Sequence, residues 1–354
     1  MQKGKRVSTQ KNINSQPENP INNHNELNMH STHTDTTSAH TEAKHNAKEG
    51  NVITEMLNDH LLDHHGYNFY DVFHINLPVI IYDDALYTYP SIHSMEEAGI
   101  FKEVHHDIIR NDTGQAPKID LSITALVMFQ WIAMIIIFTS FFIIKKRYVR
   151  HPNKAPKGFQ NFIELGIEMV RDRIVKVNIA DDKLAEKLTP YFVFLWLFIF
   201  VLNFLGLVPG GHSATGNLAV TAGLSITAYF VINGSAILTK GIGHWIKEFT
   251  GGAPIGLWLI MIPIEILSMF TKPFALTVRL FANMTAGHVV ILSLVGLIFI
   301  FKSFAVAPIS VGFSLFINLL EVLVAMIQAY VFTMLTAVFV GLALGHGEEH
   351  ETVH

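Results

Sequence analysis

Two nearly unbroken apolar runs close this chain, Ile255 to Phe301 and Pro308 to Gly345. As helices rising 1.5 Å per residue they would be about 70 Å and about 57 Å long, against a bilayer hydrocarbon core of roughly 30 Å. Each run is therefore either two short spans or one long helix that tilts, with Pro263 and Pro273 as candidate kinks. Two spans need a polar turn near the midpoint, and only "FTKPF" around Lys272 and Pro273 is even weakly one. Long tilted helices are favoured.

The rest of the chain fits a membrane protein. Half of its 354 residues are apolar and only 15% are charged, with mean hydropathy +0.35. A net charge of -4 argues against a nucleic-acid partner, which needs a basic face. Cysteine is absent, so thiolate chemistry and zinc-thiolate sites are excluded. No Walker sequence, nucleophile elbow or glycine-rich phosphate loop is present, so a nucleotide site or cofactor of its own is not expected.

Residues 1–50 are rich in Asn, Thr, His and Ser, with too little apolar surface to offset chain entropy, and read as a disordered tail. They also lack the apolar core of a signal peptide. Residues 51–118 read as a small extramembrane region with a hairpin at "INLPVIIYDDALYTYPSI". Residues 119–345 form the membrane domain, and 346–354 a solvated tail. His60 and His64, at i and i+4, have metal-binding spacing but no further ligands, so no metal site is expected.

The first span covers Leu121 to Ile144 and stops at six Lys/Arg between Lys145 and Lys157. That basic flank marks the cytoplasmic side, with the N-terminal region outside and the C-terminus inside. Phe159, Phe162, Ile163, Ile167, Val170, Ile174 and Val177 then recur at helical spacing among charges, which suits an amphipathic helix lying along the interface. Further spans run from about Pro190 to Val208 and from Leu218 to Leu238. The expected fold is an all-α polytopic membrane protein of about five transmembrane helices plus one interfacial helix, the last two long and tilted as an antiparallel hairpin.

Charge inside the last apolar segments is sparse: Glu265, Lys272, Arg279, His288 and Glu321, with Lys302 at the break. An ionisable group at bilayer depth costs about 2.5 to 3.5 kcal/mol on insertion scales, so such groups face protein or water and usually carry function. A structural salt bridge from Arg279 to Glu265 or Glu321 is the plainer alternative. Glu265 lies fourteen residues away, about 21 Å along the same helix. At 100° per residue, Arg279 shares a face with Glu265, Lys272, Asn283 and Ala286, whereas His288 falls on the opposite face. Ala275, Ala282, Ala286 and Gly287 surround that face with small residues, which lets another helix approach closely.

In an antiparallel hairpin, residues at one level have position numbers of constant sum. Pairing Arg279 with Gln328 and His288 with Glu321 centres the turn near residue 304, inside the break "FKSFAVAP". The hairpin thus sets two polar rungs about 10 to 13 Å apart.

"RLFANMTAGH", "LLEVLVAMIQAYVFTMLTAVFV", "IEILSMFTKP" and "NFLGLVPG" followed by "ATGNLAVT" resemble the a-subunit family of the F-type ATP synthase membrane sector, over about 120–345. The resemblance implies a non-catalytic stator subunit in a bacterial inner membrane. It also implies a c-subunit ring, peripheral stalk b subunits, indirectly the F1 sector, and the lipid bilayer as partners. In that role Arg279 faces the ring, Glu265 lies on one ion half-channel, and His288 with Glu321 lines the other. Many members carry the acid and the histidine exchanged between those two positions. Asn283 and Gln328 become polar partners near the arginine, and Asn203 and Asn217 channel-lining amides, with helix–helix hydrogen bonding as the alternative for all four. A titratable histidine points to protons rather than sodium. Two rivals remain: a secondary transporter, which should show internal repeats that this chain lacks, and a motor stator channel, which should centre on an acid.

Overall fold

The structure is a computed structural model that describes residues 65–69, 73–104, 107–152, 155–208, 211, 213–248, 255–301 and 306–344. The polar tail, the His60/His64 pair, Lys302 and the C-terminal tail lie outside the described residues.

The region before the first span is built from short antiparallel pairs. Strand β1 (Gly66–Phe69) pairs with β2 (Phe73–Asn76), and β3 (Val79–Tyr82) with β4 (Leu86–Tyr89). The second pair is the expected hairpin. Helix α1 (Ile92–Glu97) is capped by Ser91, whose hydroxyl accepts from Ser94 N, satisfying one of the orphan donors of a helix start. Strands β5 (Phe101–Val104) and β6 (Asp107–Arg110) pair next, and β7 (Ile119–Asp120) adds to the free edge of β3. Val79, Ile81, Met95, Phe101 and Ile108 close a small core, with Val79 and Ile81 alternating inward as period two requires. At the hairpin tip Arg110 bridges Asp83 (2.5 Å) and Asp84 (3.1 Å), and Lys118 reaches Asp84 (2.9 Å).

Among the described residues, five helices are long and apolar enough to cross a bilayer: α2 (Ala125–Arg150), α5 (Asp182–Leu207), α6 (Leu218–Lys240), α8 (Trp258–Phe301) and α9 (Val306–Ala343). Between α2 and α5 run α3 (Phe159–Glu168), a π-helical stretch Met169–Val175 and α4 (Lys176–Asn178); α7 (Ile242–Glu248) follows α6. Helix α5 is the hub, burying Phe192, Leu195, Trp196, Ile199 and Leu202 against the other spans. Lipid tails are as apolar as leucine, so close packing and hydrogen bonds rather than water exclusion hold such helices together. Small residues permit it: a Cβ on Gly166 would stand 2.5 Å from the Trp196 ring, and Gly341 leaves no room for one beside the Asn178 carbonyl.

Several boundaries differ from the sequence expectation. The first helix starts at Ala125 rather than Leu121, because the backbone N–H groups of Leu121 and Ile123 still donate to Ile80 and Pro78. The second span begins at Asp182, eight residues before Pro190. Asp181 caps it, its carboxylate accepting from Lys183 N (3.0 Å) and Leu184 N (3.3 Å), and proline is carried inside the helix. The amphipathic segment forms, but its buried face differs. Phe159, Phe162 and Val177 are exposed, while Ile163, Gly166, Val170, Ile174 and Val175 are buried. The π-helical stretch resets the phase of the 3.6-residue period midway along.

Candidate functional site

Helices α8 and α9 are antiparallel neighbours, each a single element of 44 and 38 residues. Both exceed what a bilayer spans upright, as their lengths required. Three contacts set their register. His288 Nε2 lies 3.8 Å from Glu321 Oε1, Asn283 Nδ2 donates to Gln328 Oε1 at 2.7 Å, and Ser310 Oγ donates to the Leu294 carbonyl at 2.5 Å. The pairing of His288 with Glu321 is the one that level arithmetic places there. Gln328 differs: it meets Asn283, one turn along α8 from Arg279.

Gly287 allows the His288–Glu321 approach. A Cβ there would stand 2.5 Å from Glu321 Oε1 and 2.7 Å from its carboxyl carbon, so the carboxylate lies across the bare backbone of α8. Glu321 is 4% exposed, and neither of its oxygens has a hydrogen-bond donor among the described residues. A buried carboxylate of this kind is costly to hold charged, which makes a neighbouring imidazole a natural proton partner.

A second polar cluster adjoins this pair. Asn203, fully buried on α5, donates through Nδ2 to the Ala325 carbonyl of α9 (3.2 Å), and its Oδ1 accepts from Thr215 Oγ1 (2.7 Å). Thr285 on α8 donates to the Gly216 carbonyl at 3.2 Å. The short helical turn Ala214–Gly216 therefore ties α5, α8 and α9 together. Asn203 thus makes the helix–helix hydrogen bonds that were the alternative to channel lining. Asn217 caps α6, its Oδ1 accepting from Ala219 N at 2.8 Å. Thr215 and Gly287 were not singled out as site residues from sequence. The apposition of "ATG" to "TAGH" is a tertiary fact with no periodic signature.

Arg279 stands apart from both clusters. Its residue is exposed, as are Ala275, Ala282, Asn283 and Ala286, while Leu276, Leu280 and Met284 are buried behind it. It makes no ion pair or hydrogen bond with any described residue, so the salt bridges to Glu265 or Glu321 are not formed. Lys272 and Glu265 are half-buried. Lys272 Nζ sits 5.8 Å over the Phe339 ring of α9. Among the described residues no cluster of three metal-ligating side chains occurs.

Residues 127–341 match the family model described as ATP synthase A chain. Among similar proteins, "ATP synthase subunit a" of Chloroherpeton thalassium is 47% identical over 236 residues, 66% of this chain and 70% of that protein. Its counterpart from Chlorobium phaeobacteroides is 48% identical over 238 residues, again 66% and 70%. "ATP synthase subunit a 2" of Prosthecochloris aestuarii is 48% identical over 238 residues, covering 66% and 73%.

Proposed function

The chain belongs to the ATP synthase A chain family, and from that premise we propose that it is the proton-translocating stator subunit of an F-type synthase, working against a rotating ring of c subunits. One observation carries the proposal: an arginine without a partner among the described residues, exposed on a face of small residues within an apolar helix. Hydrocarbon cannot solvate it at tolerable cost. A carboxylate presented by a neighbouring rotor helix can, and the small side chains let that helix come close.

The mechanism follows from charge placement. A rotor carboxylate opposite Arg279 is stabilised in its ionised form and gives up its proton. The same fixed charge repels a cation attempting to cross directly between two water-filled half-channels. The carboxylate must then travel away from Arg279 to be reloaded, so proton flow compels rotation. Each charge moved through 100 mV supplies about 2.3 kcal/mol. His288 and Glu321 relay protons in one half-channel, and Glu265, about 21 Å along α8 from Arg279, serves the other. Asn283 and Gln328 hold α8 and α9 in register beside the arginine. Peripheral stalk b subunits anchor the chain, which meets the nucleotide-bearing F1 sector indirectly. The basic flank at Lys145 to Lys157 faces the cytoplasm of a bacterial inner membrane, with residues 51–118 as an outer region.

Cross-linking tests the facing. Cysteines placed one at a time at 275, 282 and 286 in this cysteine-free chain should capture c subunits in the assembled complex, and cysteines at 288 and 291 should not. Uniform capture around the helix, or recovery of the chain without a ring or stalk, contradicts the proposal and favours a transporter.

A further inference from the structure

Helix α2 ends in a run of cations, and the chain then doubles back into α3. Between them lies a cleft of about 910 Å³ lined by Lys146, Arg147, Arg150, His151 and Lys157, with Ile143 and Gln160 on its inner side. None of the described residues lining it is acidic. Arg147 Nη1 donates to the Lys157 carbonyl (3.5 Å), which ties the two walls together. Gln160 is 5% exposed, and its Oε1 has no hydrogen-bond partner among the described residues.

A second concavity continues along the same two helices. It is a small groove of about 90 Å³ walled by Ile136, Ile137 and Phe141 of α2, Phe159 and Phe162 of α3, and Phe200 of α5. The groove is almost wholly apolar. From Arg147 to Ile137 is ten residues, about 15 Å along α2, a distance suited to the step from a lipid phosphate into its acyl chains. Cations at the end of a membrane helix attract anionic headgroups, and basic pockets between spans hold them specifically.

We propose that this composite site binds one anionic glycerophospholipid, its phosphate in the basic cleft and an acyl chain along the apolar groove. The cleft alone would suit any phosphate. The groove beneath it selects a lipid, and the absence of a lining acid favours a diphosphate lipid over a monoanionic one. The site shares no residue with Arg279, Glu265, His288 or Glu321, so it stands whether or not the ion-translocating role does.

Native mass spectrometry of the purified, delipidated complex tests it, with cardiolipin, phosphatidylglycerol, phosphatidylcholine and inorganic pyrophosphate added separately. Cardiolipin should be retained most strongly, phosphatidylglycerol less and phosphatidylcholine least. Arg147→Gln with Arg150→Gln should lower anionic-lipid retention roughly thirty-fold, from about 1 kcal/mol per cation at a membrane surface. Ser140→Phe, which fills the groove from a half-buried wall position, should lower retention of cardiolipin and phosphatidylglycerol and leave pyrophosphate unaffected. Equal retention of anionic and zwitterionic lipid, or retention indifferent to the double variant, overturns the proposal. So does pyrophosphate binding as tightly as lipid, or a cleft covered by another subunit in the intact complex.

Discussion

Gly287→Ala offers a way to move one carboxylate without deleting it. The added methyl carbon would sit 2.5 Å from Glu321 Oε1, 2.7 Å from Cδ and 3.1 Å from Cγ, whereas favourable contacts begin near 3.5 Å. Glu321 must retreat by roughly 1 Å. The collision involves the end of a flexible side chain rather than backbone, so the fold should absorb it for about 1 kcal/mol. Proton passage should be less tolerant, because the His288–Glu321 separation is already 3.8 Å and 1 Å misplacements of acting groups cost up to about 100-fold in rate. Reconstituted complexes carrying Gly287→Ala should make ATP from an imposed proton gradient at least about tenfold more slowly. Their c-ring content and detergent melting temperature should stay near the wild type. Gly234→Ala is the control, since a Cβ there meets nothing within 4 Å. A fully assembled Gly287→Ala complex with wild-type synthesis would show that the position of Glu321 does not govern proton passage.

Exchanging the pair, His288→Glu with Glu321→His, keeps both groups at one level of the hairpin and should recover much of the synthesis rate that His288→Ala or Glu321→Ala loses. A double variant as poor as the product of the singles would show the two are uncoupled. Outside the membrane, His65 is buried between Glu103 (3.7 Å) and Asp120 (3.4 Å). Burial opposes its charge, but the two carboxylates outweigh it and raise its pKa to about 9. Because the folded-state value is raised, the stabilisation, of order 3 kcal/mol at most, is complete below the unfolded value near 6.5 and is lost as pH rises through about 9. Proteolysis of residues 66–120 should therefore accelerate between pH 6.5 and 9.5, and His65→Gln should flatten that dependence; an unchanged profile in the variant would remove His65 as its cause.

Much of the hairpin was legible because ionisable groups in apolar helices are rare. With so few polar side chains on two facing runs, only one register lets His288 reach Glu321. The exposed face of Arg279 was legible for the same reason, as alanines cluster on one side of an arginine. The partner of Gln328 was not, because Arg279 and Asn283 lie one turn apart on that face and only side-chain geometry decides between them. The phase of the interfacial helix was hidden by its π-helical stretch, which adds a residue per turn without any mark in composition. The apolar run of the second span begins near Pro190, yet the helix that carries it begins at the capping carboxylate of Asp181, nine residues earlier. Asn203 and Thr215 join across a loop, and neither side of that contact repeats with a helical or strand period.

The role of Arg279 is tested most directly by measuring ATP-driven proton pumping and passive proton leak in the same vesicles, for wild type, Arg279→Gln and Arg279→Lys. If its charge both ionises the rotor carboxylate and bars direct passage, Arg279→Gln should abolish pumping and raise the leak. Arg279→Lys should do little better, because a compact ammonium lacks the delocalised fork of the guanidinium. Coupled pumping at the wild-type rate with no added leak in either variant would contradict the account.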